Sequence, residues 1–296
     1  MRGVARQDLQ AMLEQLEMAI HNHHTWHEFL TKILVCRLPF DPRIASPDAH
    51  RECAFGQWYY NNAPDNLRSH HGFRIIERQH QEMHDLASAL LSDSESGSGV
   101  SVDHFDQFTQ RMTGFRLELD TLKRELETAL GNLDPLTGAN NRVGMLTWLR
   151  AQQELVRRDV LSCTLAMIDL DLFKSVNDHY GHMVGDSVLM AVSHYVIKHI
   201  RPYDKLYRFG GEEFLLCLQG LGLGASYTLV DRLRSGVAAM PIAFDAGQIH
   251  CTVSCGVAPL EADVALENII ERADKALYMA KSTGRNRTQA WDPAIT

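Results

Sequence analysis

RFGGEEFLLCL, residues Arg208 to Leu218, sets Gly210, Gly211, Glu212 and Glu213 between two apolar runs. Apolar runs flanking a Gly pair predict two strands joined by a tight turn. The turn then carries two consecutive carboxylates at a hairpin tip. Adjacent carboxylates repel one another and favour a cationic partner. A hard ion such as Mg²⁺ suits them, because it takes oxygens from one or two carboxylates together with substrate phosphates. Taken alone, the stretch also reads as a solvated hairpin turn, since glycines with acidic neighbours are ordinary turn formers. The surrounding sequence decides between the two.

The chain has 296 residues, 45% apolar and 22% charged, which suits about two globular domains. A formal net charge of −8 argues against a general binder of nucleic acid polymers, which carries a basic patch or stripe. It leaves room for a local nucleotide site. No apolar run reaches the roughly 18 residues of a membrane span, and the opening MRGVARQDLQAMLEQ lacks an apolar signal-peptide core. Six cysteines without framework spacing fit reduced thiols, so a cytoplasmic protein is expected. Ten of the fifteen histidines precede residue 105, which predicts two halves with different chemistry.

Around the hairpin, strands and helices alternate. Residues 163–168 form a short apolar strand ending at Asp169, and 250–259 a further strand. Helices are expected over 142–157, 184–200, 225–239 and 264–283. The pattern predicts a mixed sheet flanked by helices, with the hairpin at its centre. Asp169, at a strand end beside a turn, has the usual place of a metal carboxylate in an α/β fold.

The first half reads as helical. Leu9, Leu13, Leu16, Ile20, Trp26, Phe29, Leu30 and Ile33 predict one helix over 7–36, and Pro39, Pro42 and Pro47 break it. Further helices are expected over 53–61, over 66–91 and from Val102 onward, with SDSESGSG at 92–99 as a polar loop. The sum is an antiparallel four-helix bundle over residues 1–128, joined by a long helix to a second domain over 129–296. His80 and His84 share one helical face. With His23 and Cys53 they make four N and S ligands, enough for a closed tetrahedral Zn²⁺ site. Each histidine taken singly reads as a surface or core residue. His23-x-x-Trp26, Cys53-x-Phe55-Gly56-x-Trp58 and His80-x-x-x-His84 follow in that order. Together they resemble the chemoreceptor zinc-binding (CZB) domain over about residues 8–125. The resemblance implies that His23, Cys53, His80 and His84 bind zinc. His21, His24, His27 and His50 have no place in its pattern.

Phe105, Phe108, Met112, Phe115, Leu119, Leu122, Leu126, Ala129 and Leu133 alternate by three and four, a heptad seam. Up to about residue 118 the seam can serve as a bundle stripe. Beyond that no helix of the first half remains to cover it, and a parallel helix from a second copy is the expected partner.

DPLTGxxNR from Asp134, DLDxFKxxND from Asp169, GHxxGD from Gly181, RFGGEEF from Arg208 and KxxGRN from Lys281 occur in that order. They resemble the GGDEF domain of diguanylate cyclases over residues 130–290, with Glu in the third position of the signature. The resemblance implies a nucleotidyl-cyclase-like fold that condenses two GTP into cyclic di-GMP and two pyrophosphates, each 3′-OH attacking the other's α-phosphate. It implies two Mg²⁺ per GTP, held by Asp169, the Leu170 carbonyl, Glu212 and Glu213. Glu212 and Glu213 are then the catalytic carboxylates, and Glu212 is a candidate to take the 3′-OH proton. Lys174, Lys281 and Arg285 match triphosphate-holding positions, although Lys281 and Arg285 equally suit a helix C-terminus. Asn177 and Asp186 match the guanine readers, which would be left unpaired against adenine. Gly210 and Gly211 would let backbone approach the nucleotide. Arg201 and Asp204 match the RxxD site at which product inhibits, with Arg232 as its further arginine. One GTP per domain implies a homodimer, and the upstream metal module implies regulation by zinc, expected to be inhibitory. Two competing readings are a catalytically dead receptor for cyclic di-GMP and a zinc store with an incidental cyclase domain. The intact Asp169, Glu212, Glu213, Lys174 and Arg285 oppose the first.

Overall fold

The computed structural model describes residues 6–63, 65–96, 99–245 and 247–294. Helical apolar spacing dominates the first part of the chain, and its elements are α1 (Arg6–Cys36), α2 (Ala49–Glu52), α3 (Ala54–Asn61), α4 (Asp65–Arg68), α5 (His71–Glu95) and α6 (Val102–Gly131). The chain divides into two compact units between Leu130 and Gly131. In the first, Lys123 of α6 meets Glu17 of α1 at 2.9 Å and Arg6 donates to the Leu130 carbonyl, so α1 and α6 run antiparallel. Arg111 pairs with Glu82 while Gly72 lies against Leu122, which opposes α5 to α6. Ring contacts Phe55–His80 and Trp58–Phe73 oppose α3 to α5. The four directions alternate in an antiparallel four-helix bundle whose α3 is only eight residues long.

Three expectations for this unit change. The helix expected over 66–91 is broken after Arg68 and resumes at His71. It then runs on through Glu95, so the polar stretch from residue 92 is mostly helical. There Asp93 accepts from His104 Nδ1 at 2.7 Å and from the Ser101 N–H, tying the last turn of α5 to the start of α6. Gly97 and Ser98 of that stretch lie outside the described residues. The seam also differs. Phe108, Met112, Phe115, Leu119, Leu122, Leu126 and Leu130 are all buried within the single chain. The first turns of α1, with Leu9, Met12 and Leu16 buried, reach far enough to cover it, and no second copy is needed. Phe105 is 38% exposed and Leu133 lies past the helix end. No helix of the described residues is long and apolar enough to cross a membrane.

The second unit contains α7 (Met145–Arg157), β1 (Cys163–Leu170), α8 (Phe173–Tyr180), α9 (His182–His199), β2 (Lys205–Arg208), β3 (Glu213–Gln219), α10 (Leu223–Ala239), β4 (Ile242–Phe244), β5 (Gly247–Ile249), β6 (Val253–Pro259), α11 (Leu266–Ser282) and β7 (Thr288–Ala290). Five strands form one sheet in the order β2-β3-β1-β6-β7, antiparallel except for β6–β7, and β4–β5 form a separate ribbon. The sheet is mixed and flanked by helices, but β1 is its centre and the hairpin occupies one edge. All eight residues of β1 are buried, because helices cover both faces. Ala166, Ile168 and Leu170 pack with Val188, Val192, Val230 and Leu233 of α9 and α10. Leu165 and Met167 pack with Leu149 of α7 and with Ile269, Ala273 and Leu277 of α11. At Gly256 a Cβ would collide with the Ala273 carbonyl and the Leu277 nitrogen. Only glycine lets α11 rest this closely on β6, and that contact sets the depth of Lys281.

Candidate active site and metal centre

In the helical unit, one ligand atom from each of His23, Cys53, His80 and His84 lies within 4.8 Å of the others. The sequence folds them together from separate elements. His23 sits mid-α1, Cys53 caps α3, and His80 and His84 lie one turn apart on α5. The Gly56 N–H donates to Cys53 Sγ at 3.3 Å. His80 Nε2 lies 3.2 Å from Cys53 Sγ and 2.9 Å from His23 Nε2. His23 Nδ1 bonds the Ala19 carbonyl at 2.8 Å, which directs Nε2 and its lone pair into the cluster. Trp26 lies over His84 at 4.7 Å, and Phe115 of α6 touches the His23 and His80 rings at 4.9 and 5.4 Å. This apolar wall pushes the imidazoles down: His23 to about 4 and His84 to about 3, each mainly by burial, with His80 also well below its ordinary value. All three are therefore neutral at pH 7, the form that binds metal. Burial raises the Cys53 thiol.

His84 supplies the test of fit. Both of its ring nitrogens are buried without a hydrogen-bond partner among the described residues. Orphaned polar atoms in an apolar wall are costly. A cation completed by His84 removes that cost, and one thiolate with three imidazoles is a donor set for Zn²⁺. His50 is buried nearby with Nδ1 unpartnered, yet it is not among the four converging residues.

In the second unit, register brings the acidic residues together. Asp169 closes β1 directly opposite Glu213 of β3, and the Leu170 N–H faces the Glu212 carbonyl at 3.4 Å. Asp169 is buried and its Oδ2 lies 2.8 Å from Lys281 Nζ. Burial raises its carboxyl despite that lysine. Burial and then the Asp169 charge raise both Glu212 and Glu213. Arg208 holds the turn between them. It donates to the Gly211 carbonyl at 2.8 Å and to Asp134 at 3.0 Å. Asp134 also accepts the Thr137 N–H and hydroxyl. This Asp134–Arg208 brace was missed from sequence, although both residues belong to motifs that had been read. At Gly210 a Cβ would meet only the end of the Glu213 side chain, and at Gly211 open space. The fold itself therefore demands neither glycine, and the open flank is free for a ligand.

Asn177 lies on α8 and Asp186 on α9. A Cβ at Gly185 would fall on the Asn177 carboxamide, so this glycine lets the Asn177 side chain lie directly on the first turn of α9. Lys174 is exposed in the first turn of α8 and Arg285 in the loop after α11. Neither side chain has an ion-pair partner among the described residues. The RxxD residues lie elsewhere. Asp204 is buried and accepts from the Arg201 N–H at 3.1 Å and the Gln219 N–H at 3.0 Å. It closes the turn into β2 at the far end of β3, roughly 20 Å from the signature turn. Arg201 is exposed beside Tyr203. Arg232 is exposed on α10, and no hydrogen bond or ion pair joins it to Arg201 or Asp204 among the described residues.

Converging carboxylates beside a lysine at a sheet end, with open approach, are a donor set suited to a divalent cation and the phosphates it would carry. The family model for the diguanylate cyclase GGDEF domain matches residues 131–287, and that for the chemoreceptor zinc-binding domain matches residues 23–91. Diguanylate cyclase DgcZ of Escherichia coli (strain K12) is 31% identical over 280 residues, covering 95% of this chain and 94% of that protein. The coiled coil and GGDEF domain of DgcB from Caulobacter crescentus, solved in complex with c-di-GMP, aligns with TM-score 0.56 at 27% identity. It covers 62% of this chain and 98% of that one. Diguanylate cyclase SiaD from Pseudomonas aeruginosa, solved with its activator SiaC, aligns with TM-score 0.55 at 27% identity over 90% of this chain and 98% of that one. The chain belongs to the GGDEF family of diguanylate cyclases and carries a chemoreceptor zinc-binding domain.

Proposed function

We propose that the chain condenses two GTP into cyclic di-GMP as a cytoplasmic homodimer, and that zinc held by His23, Cys53, His80 and His84 slows the reaction. The convergence of Asp169, Glu212 and Glu213 beside Lys281 carries the catalytic part of this reading. One lysine cannot balance a buried carboxylate and two half-buried ones. Mg²⁺ bound there, two ions per GTP with the Leu170 carbonyl as a further ligand, supplies charge neutralisation for the phosphates and polarisation of the 3′-hydroxyl. Lys281 turns from Asp169 to the triphosphate, which Lys174 and Arg285 hold with their unpaired cationic heads. Asn177 and Asp186 read the guanine edge and reject adenine. Glu212, its carboxyl raised by burial and by Asp169, is suited to receive the 3′-OH proton, and Glu213 supports the metal. Cyclic di-GMP binds back at Arg201, with Arg232 supplying a second guanidinium and Asp204 its remaining lone pairs.

Each unit of this fold offers one GTP site, so the two substrates meet only when two chains face each other. Zinc cross-links α1, α3 and α5 through its four ligands. Phe115 packs on two of those ligands and carries their positions into α6. A bundle fixed in this way keeps the two half-sites apart. The test is the initial rate of cyclic di-GMP formation from GTP and Mg²⁺, after bound product is stripped, first with a zinc chelator and then with zinc added. The expected result is a high rate with chelator and a suppressed rate with zinc. A rate indifferent to zinc would reduce the helical unit to a scaffold. Cys53→Ala should blunt the response, and an unchanged response would remove Cys53 from the site.

A further inference from the structure

We propose that Asp171 is a positioning residue for GTP binding, its carboxylate fixing the Gly284–Arg287 loop so that Arg285 meets the triphosphate. The inference rests on the reading above that Arg285 holds phosphate. Asp171 follows the metal carboxylate Asp169 by two residues and is itself buried. It does not face the cluster of Glu212 and Glu213. Its Oδ2 accepts from Thr252 Oγ1 at 2.6 Å and from the Asn286 N–H at 3.0 Å, and its Oδ1 accepts from Ser254 Oγ at 2.7 Å. Its own N–H donates to the Thr252 carbonyl at 2.9 Å. One side chain thereby joins three segments: the end of β1, the start of β6, and the loop between α11 and β7.

That loop needs holding. Gly284, Arg285 and Asn286 have φ of 124°, 55° and 44°, and consecutive left-handed backbone at non-glycine residues is unfavourable. Arg287 Nε donates to the Arg285 carbonyl at 3.2 Å within the loop, the Cys255 N–H of β6 donates to the Arg287 carbonyl at 2.9 Å at its end, and three further contacts hold its left-handed residues. The Arg285 N–H donates to the Ala280 carbonyl at 3.0 Å, Arg234 Nη1 donates to Asn286 Oδ1 at 2.7 Å, and Asp171 takes the Asn286 N–H. The first only closes α11 and the second comes from α10. Asp171 alone connects the loop to the strand that carries Asp169. The offset between Arg285 and the metal carboxylate is therefore set through Asp171, and small offsets of phosphate-holding groups are expensive in binding and rate.

The donors specify the test. Two of the three are hydroxyls, which can turn and accept instead, while the Asn286 N–H can only donate. Asp171→Asn can still offer its amide oxygen to Asn286 and Thr252 and its NH₂ to Ser254. Asp171→Ala offers nothing. Asp171→Ala should raise KM for GTP about tenfold or more, the scale of a lost hydrogen bond to a charged group, with a smaller change in kcat. It should weaken equilibrium binding of a GTP analogue carrying a methylene between its α- and β-phosphates by the same factor. Asp171→Asn should recover most of this, and Asp171→Ala combined with Arg285→Ala should be no worse than Arg285→Ala alone. A partly unfolded protein would instead lose kcat at constant KM. In the unaltered enzyme, hydrogen exchange at the exposed Asn286 amide should be protected, and a freely exchanging amide would overturn the clamp with no variant at all. If Arg285→Ala weakens binding while Asp171→Ala does not, this inference alone fails. If Arg285→Ala leaves binding unchanged, the phosphate role of Arg285 fails and takes the inference with it. If Asp171→Asn is as damaged as Asp171→Ala, the charge of Asp171 and not its geometry is what matters, and the positioning role is refuted.

Discussion

Burial holds the imidazoles of His23 and His84 neutral down to about 4 and about 3, and this has two consequences that can be measured. In the zinc-free protein, unfolded histidines take up protons below pH 6.5 and the folded ones do not until far lower. The unfolded chain binds more protons across that window, so stability is complete above pH 6.5 and is lost as the pH falls through it. The loss should be roughly 1.4 kcal/mol per pH unit for each imidazole, visible as a falling thermal midpoint of chelated protein between pH 7 and pH 5. With zinc present the competing proton belongs to the Cys53 thiol, which burial raises. Zinc affinity between pH 6 and 8 should then rise about tenfold per unit, and Cys53→Ala should flatten that slope in a chelator competition. The convergence of His23, Cys53, His80 and His84 was legible because their chemistry and their order along the chain are both unusual. Asp204 was legible as a motif member. Its burial and its bonds to the Arg201 and Gln219 amides were not, because β3 ends fifteen residues further along the chain.

A heptad seam states that one helical face is buried, not what buries it. Residues Phe108 to Leu130 of α6 announced their own burial, but the reach of α1 alongside them was not written in the spacing of α6. Because the cover comes from the same chain, Leu119→Ala should cost about 2–5 kcal/mol of stability in the helical unit. The thermal midpoint should drop by the same amount at every protein concentration. A drop that grows on dilution would instead place Leu119 between copies. Shorter elements escaped for a related reason. Phe173–Tyr180 mixes Lys, Ser, Asn and Asp in eight residues and reads as a turn, and β4, β5 and β7 have three residues each, too few to show a period. The signature hairpin was legible as a hairpin, yet its place at the sheet edge depends on pairings made far along the chain. Its turn rests on Arg208, half-enclosed between Asp134 and the Gly211 carbonyl. Asp134→Ala leaves that guanidinium with one anchor. It should lower kcat about tenfold, at the cost of one charged hydrogen bond, while GTP still binds. A steady-state comparison of kcat and KM checks this.

At the scale of the molecule, two units with separate cores divide the work. Asp169, Glu212, Glu213 and Lys281 belong to the unit that begins at Gly131, and the converging His23, Cys53, His80 and His84 belong to the unit that ends at Leu130. A protein truncated to residues 131–296 keeps every group assigned to GTP and loses every group assigned to zinc. If two GTP-loaded units must face each other, and if the helical unit pairs two chains through a surface other than its buried seam, removing it turns a pre-assembled reaction into an encounter, and the effective concentration of the partner site falls to that in solution. The truncated protein should bind the methylene analogue of GTP as tightly as the full chain. Its specific activity should rise in proportion to protein concentration, whereas that of the full chain should be level over the same range. It should also be indifferent to zinc and chelator. Level specific activity in the truncated protein would show that the GGDEF units associate unaided, and the helical unit would then act only as a brake. Retained zinc inhibition would move the regulatory metal out of the bundle and onto the carboxylate cluster itself, where added Mg²⁺ should relieve it by competition.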